Sequence, residues 1–319
     1  MFESGVDGVA SGLSGNWFGL VTSHNPTENE NIKTIRYAGT STRNFGQLVI
    51  GPQDYEGTIT YYPQNLKMLG YSLGSMFDVS GTVSQYRFSE INSDTAWYAT
   101  TSGVAGFPTF TIKDSKKGLA DGQHMVRTFG GAIIDKFSLS AKQGEPLVCE
   151  VSYKAQRFTL GSKTTDIVST LDEDTSRPYI WSDVTYAIPS GTATTIKQIN
   201  DIKFDIENNV ETRHYVNGSR VAQAFVPTMR NYTIDLTLDA NSEWGAILES
   251  YHKTGSTFNS QMQILQTGSE YGQLIFSGCK VFTFSAPSEV EGIDNFKVVI
   301  KPQNLFVVGS DYCRPCNPW

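Results

Sequence analysis

Residues 129–156 and 276–303 carry related residues at a constant spacing, and this repetition constrains the fold more than any other feature of the chain. Gly131 lies 23 residues before Lys154, and Gly278 lies 23 before Lys301. At the same offset of 147, Phe129 matches Phe276, Phe137 matches Phe284 and Ser138 matches Ser285. Val151 then matches Val298, and Gln156 matches Gln303, with no gap. The runs end in "KAQRFTLGS" (154–162) and "KPQNLFVVGS" (301–310). Their apolar phase agrees: Cys149, Val151 and Tyr153 alternate along one face, as do Phe296, Val298 and Ile300. A one-residue slip would turn every strand side chain to the wrong face, so shared phase carries information beyond the identities.

The likeness extends upstream. "PQDYEGTITYY" (52–62) resembles "PTMRNYTIDLT" (227–237), pairing Pro52 with Pro227, Thr58 with Thr233 and Ile59 with Ile234. A helical pattern follows each. Leu66, Leu69 and Leu73 fall at i, i+3 and i+7, and Trp244, Ile247, Leu248 and Tyr251 at i, i+3, i+4 and i+7. Each is one apolar stripe, predicting a core-facing helix. Asn241 or Ser242 fits its N-cap and Gly255 its stop. Earlier still, "RYAG" (36–39) and "RHYVNGSR" (213–220) read as paired hairpin turns, the "NG" being a strong hairpin signal.

The expected organisation is a first domain over 1–165 and a second over 175–319, joined by the polar stretch 162–178. The first domain has an N-terminal arm and about 31 extra residues within 76–108, read as a long loop or added hairpin. A length of 319 fits about two domains. The 18 Phe, 15 Tyr and many Thr, Ser and Val favour strands. The fold class expected is mainly β, with one flanking helix per domain.

A net charge of −7 and pI near 5.2 argue against tight, sequence-independent DNA binding, which needs clustered Lys and Arg. The start lacks the basic and apolar regions of a secretory signal, and no apolar run approaches the ~20 residues that span a bilayer, so no membrane insertion is expected. Four cysteines fit a reducing compartment. "CRPC" (313–316) has the spacing of half a zinc site but no second pair, so it reads as a tail with free thiols.

No catalytic constellation emerges, and no catalytic, cofactor or metal residue is assigned. His24, His124, His214 and His252 are scattered, without metal-ligand spacing. The informative pattern is carboxylate. In "DIKFDIENN" (201–209), Ile202, Phe204 and Ile206 point one way, and Asp201, Asp205 and Glu207 the other, with Lys203 among them. In "NYTIDLTLD" (231–239), Asp235 and Asp239 face away from Ile234, Leu236 and Leu238. This reads as an ordinary solvated sheet face or as an acidic surface that repels phosphate.

On these two repeats the chain resembles the tail-tube (major tail) proteins of long-tailed bacteriophages. The segments that carry the resemblance are "GPQDYEGTITYYPQNLKMLGYSLGS", "FGGAIIDKFSLSA" and "VCEVSYKAQ", against "VPTMRNYTIDLTLDANSEWGAILESYHKTGS", "FSGCKVFTFSA" and "FKVVIKPQ". The resemblance implies two tandem β-sandwich or barrel tube domains, stacked rings in a virion tail, assembly in the host cytoplasm, no enzyme activity and no cofactor. The usual member has one tube domain and forms hexameric rings, so two per chain implies trimers with pseudo-hexameric symmetry. Implied partners are further copies of the chain, tail-tip or hub and terminator proteins, and tape-measure protein and DNA in the channel. Asp201, Asp205, Asp235 and Asp239 become lumen candidates, and Leu66, Leu69, Leu73, Trp244, Ile247 and Tyr251 the helix contacts to the domain cores. Segments 1–16, 38–46, 76–108 and 311–319 are expected to stack rings. The alternatives are a tail hub or baseplate ring, and a tandem β-sandwich that binds glycans or cell surfaces through Trp97 and Tyr98.

Overall fold

The computed structural model describes residues 15–16, 18–35, 47–78, 85–90, 109–117, 124–161, 171–172, 177–188, 194–216, 218–239, 243–266, 271–286 and 295–310. Segment 38–46, Trp97, Tyr98, Asn241, Ser242 and tail 311–319 lie outside these, as do most of arm 1–16 and most of 76–108. The fold is mainly β, with two α-helices among the described residues. Neither helix is long and apolar enough to cross a membrane.

The main elements of the first half are β1 (Gly19–Asn29), β2 (Lys33–Ile35), β3 (Gln47–Val49), β4 (Asp54–Pro63), α1 (Lys67–Leu73), β5 (Phe110–Lys117), β6 (His124–Lys142), β7 (Val148–Ala155) and β8 (Arg157–Gly161). Those of the second are β9 (Ile199–Glu207), β10 (Val210–Arg213), β11 (Ala224–Pro227), β12 (Asn231–Asp239), α2 (Glu243–Thr254), β13 (Phe258–Leu265), β14 (Tyr271–Ser285), β15 (Asn295–Lys301) and β16 (Asn304–Ser310). An antiparallel run crosses the molecule in the order β14-β15-β12-β9-β6-β7-β4-β1. In the expected insertion, Gly74–Asp78 pairs with Gln85–Glu90, which also pairs with β16.

The pairings of the two halves coincide residue by residue. On β6 and β7, Phe137 faces Val151 and Ile134 faces Tyr153, with a bulge between. On β14 and β15, Phe284 faces Val298 and Val281 faces Ile300, with a bulge at the same place. Every residue of the second set lies 147 beyond its counterpart. Gly131 and Gly278 both take φ of +62°, a region that favours glycine because it has no Cβ. The Gln156 N–H donates to the Gly130 carbonyl at 3.1 Å, and the Gln303 N–H to that of Ser277 at 3.0 Å.

The first strand of each half matches too. β1 against β4 is bulged between Val21 and Ser23, and β9 against β12 between Ile199 and Asp201. Asn31 and Asn209, the non-glycine residues of positive φ among those described, take +45° and +47°. Their side-chain amides donate to the carbonyls of Pro52 and Met229 at 3.0 and 2.7 Å. One expected match moves. Val151 faces Ile59 while Val298 faces Leu236, so Ile59 corresponds to Leu236 and not to Ile234. A two-residue slip leaves the inward face unchanged, so alternation could not detect it.

Alternation buries one side of the run. Tyr232, Ile234, Leu236 and Leu238 are buried along β12, while Thr233, Asp235 and Thr237 are partly exposed. Both halves contribute to one continuous apolar cluster. At its centre Phe204 of β9 is fully buried, 5.1 Å from Phe276 edge to face and 6.4 Å from Tyr232 in a stack. Asn208, just beyond β9, ties the halves together. Its amide donates to the carbonyls of Ser72 at 3.0 Å and Ile134 at 2.9 Å, and it accepts from Arg230 Nε at 2.8 Å.

Leu66, Leu69 and Leu73 are buried, Leu66 as the residue that precedes α1. Gly74 ends α1 in the left-handed region at φ +100°, and Gly255 follows α2 at +65°. On α2, Trp244 and Leu248 are buried and Tyr251 packs against the core. Ile247, expected in that stripe, is 39% exposed. The reason is Gly245, where the Phe296 ring packs so closely that a Cβ would lie 2.3 Å from it. The inward face centres there and turns Ile247 outward. Cys149 and Cys279 are buried free thiols, pushed up to about 12 and about 11 by burial.

Candidate lumen face and open sheet edges

The face of the run opposite the core is polar, and all four singled-out aspartates lie on it. Asp201, Asp205 and Glu207 alternate with the buried Ile202, Phe204 and Ile206 of β9. Asp235 and Asp239 share that face from β12, where Asp235 stands opposite Lys203 and Asp201 opposite Thr237. From β6, Lys142, Ser140, Ser138 and Lys136 line up against Asp201, Lys203, Asp205 and Glu207.

Lys142 and Lys136 of β6 join Lys203 and make this face mixed, which the carboxylate pattern of β9 and β12 does not reveal. Lys203 Nζ reaches Asp205 at 2.9 Å, Lys136 reaches Glu207 at 3.0 Å, and Lys142 reaches Glu145 at 3.4 Å. Asp205 is 7% exposed, and its Oδ1 is buried without a hydrogen-bond partner among the described residues. Burial, then the charge of Asp205, raises the Asp235 carboxyl above the usual range, with Lys203 and Lys136 opposing. A carboxyl whose folded pKa exceeds its unfolded value costs stability when ionised, and that cost fades as pH falls through its folded pKa. Asp235→Asn is therefore expected to raise Tm at pH 7, the gain shrinking towards pH 4. A pH series of thermal melts on unassembled protein checks this, and an unchanged or lowered Tm at pH 7 contradicts it.

The ends of the run are a second feature. β1 closes one end, with only β4 as its ladder partner among the described residues. It carries Pro26, and proline within a sheet is tolerated at such an edge. At the other end, segment 280–285 of β14 pairs with β15 along one flank, and its second flank carries no strand among the described residues. The matching segment of β6 is covered on both flanks, by β7 and by β9. The β6–β9 ladder runs from Asp201 opposite Lys142 to Glu207 opposite Lys136. The described structure thus contains one completed junction between like four-strand units, and the two open edges such a junction would use.

Two histidines stand in polar contacts that their scatter along the chain concealed. His24 Nε2 meets the Tyr153 hydroxyl at 2.7 Å, and its Nδ1 lies 3.4 Å from Asp114, which also pairs with Arg127. His214 Nε2 meets Asp54 at 2.8 Å. Both contacts pin one strand or arm to another. Among the described residues no group of three or more His, Cys, Asp or Glu is placed to hold a metal.

These features describe a mainly β protein whose sheet is buried on one side and ends in open edges. A family model described as phage tail tube protein matches residues 27–290. The chain belongs to the phage tail tube protein family and is a structural component of the virion tail. No curated protein matches it.

Proposed function

We propose that the chain carries two tube domains, 1–165 and 175–319, and that three chains close into a ring of six domains which stacks into the tube that delivers viral DNA. The observation that carries this is the β6–β9 junction. Two units with the same strand order, bulges and turns are already joined there edge to edge. An open strand edge is a template for pairing with another chain. Edges that differ at the two ends of one molecule make a head-to-tail contact, which forms a ring when the rotation closes. By the internal register, Thr27 of one copy would face Ser285 of the next, Glu28 would face Phe284 and Asn29 would face Thr283.

In that ring the polar face lines the channel, with Asp201, Asp205, Asp235 and Asp239 in the lumen. Carboxylates repel phosphate, and lysines already held by carboxylates attract it less. Hollow rings or long tubes are expected in negative-stain microscopy of the purified protein. A monodisperse monomer that binds sugar contradicts the proposal, and a trimer that never stacks, even on a tail-tip initiator, points to a hub. For the lumen, Asp201→Lys with Asp239→Lys is expected to make tubes retain DNA at low salt and release it as salt rises. Retention equal to wild type sinks that assignment.

A further inference from the structure

We propose that the β2–β3 arm of one copy docks on the surface around Phe282 and Lys301 of the next copy. The proposal rests on the ring reading above and adds a contact outside the strand ladder. Its template lies within the chain. The second arm, β10 with β11, folds over the first half. Val210 there is 3% exposed and clusters with Ile133 and Phe225. Its N–H donates to the Asp135 carboxylate at 2.7 Å, and Lys154 Nζ donates to its carbonyl. Further along the arm, Arg220 Nε donates to the Gly51 carbonyl at 3.1 Å.

The first arm leaves its strand by the same turn, through Asn31 in place of Asn209. Lys33 faces Val49 as Glu211 faces Val226. Ile32, Leu48 and Ile50 therefore occupy the positions of Val210, Phe225 and Pro227. Yet they are 54%, 59% and 50% exposed, on one face of the arm, while Ile35 and Val49 point to its other face. Exposed apolar side chains gathered on one face, as Ile32, Leu48 and Ile50 are, mark an interaction surface.

The receiving surface follows from the 147 offset. Asp135 becomes Phe282 and Lys154 becomes Lys301. Phe282 is 63% exposed, and the Lys301 ammonium sits 4.2 Å over its ring. The ammonium stands where it can hold the Ile32 carbonyl as Lys154 holds that of Val210. The chemistry is exchanged in step: Ile133 becomes Lys280 while Asp135 becomes Phe282, so the apolar contact moves along the bulge and is not lost. The arm lies at the β1 end of the run and Phe282 at the β14 end. The occupant is thus a second copy placed as the β6–β9 junction places the two halves.

The test is Ile32→Cys with Phe282→Cys in a Cys313→Ser, Cys316→Ser background, treated with a short thiol-to-thiol reagent during assembly. Covalent multimers up to a closed ring are expected from the double variant and not from either single one. Phe282→Asp is expected to raise the critical concentration for assembly about tenfold or more, since burial of an aromatic ring is lost. Its monomer should keep wild-type circular dichroism and Tm. Rings that form normally without the cross-link, and Phe282→Asp assembly equal to wild type, overturn the docking and leave the ring reading intact. Absence of any wild-type self-association overturns both.

Discussion

Glu28→Pro is expected to abolish tube formation while leaving the unassembled chain folded. The expectation comes from the direction of one N–H. At the internal junction the Gln143 N–H bonds the Asn200 carbonyl and the Asn208 N–H bonds the Asp135 carbonyl. Antiparallel ladders alternate, so the intervening even-numbered residues of β9 also direct their N–H groups to β6. Their counterparts on β1 are His24, Pro26 and Glu28. Pro26 already lacks a donor, so a second proline at 28 leaves two successive outward positions of the edge without one. Glu28→Ala retains the N–H and is expected to assemble. Sedimentation and negative-stain microscopy of both variants, with Tm as the folding control, read the result. Tubes from Glu28→Pro would show that β1 is not the joining edge.

The second large effect is on stability. Phe204→Ala removes a fully buried ring that packs on Phe276 from β14 and on Tyr232 from β12. Its strand neighbours are Leu139 and Ile234, both buried, so the site has little freedom to collapse. A cavity of this kind costs about 3–5 kcal/mol. Phe204→Leu keeps most of the volume and is expected to cost less than half of that. Guanidinium denaturation of the unassembled protein measures both. Since β9 joins the halves, loss is expected as a single transition at lower denaturant. A small change, or loss confined to the second half, would mean that the two halves do not share a core.

The run from 129 to 156 was legible in the sequence because both its copies are ungapped, and their glycines are forced by backbone conformation. The face of each carboxylate was legible because strands alternate with a period of two. The register of Ile59 was not, since a slip of two preserves that period. The outward turn of Ile247 was not, because it depends on the Phe296 ring against Gly245, a contact between distant strands. The lysines from β6 that mix with the aspartates were also hidden, since the β6–β9 pairing brings together residues 59 to 71 positions apart. The equivalence of Asn31 and Asn209 had no visible signal beyond the asparagines themselves, whose tolerance of positive φ is common to many turns.

The central question is whether one chain supplies two successive places in a ring. Cryo-electron microscopy of assembled tubes measures this directly. The expected result is three chains per ring, with a continuous sheet in which Thr27 of one chain faces Ser285 of the next, as Asp205 faces Ser138 within the chain. Six chains per ring, or a ring whose sheet is broken between β1 and β14 of neighbouring chains, would contradict it.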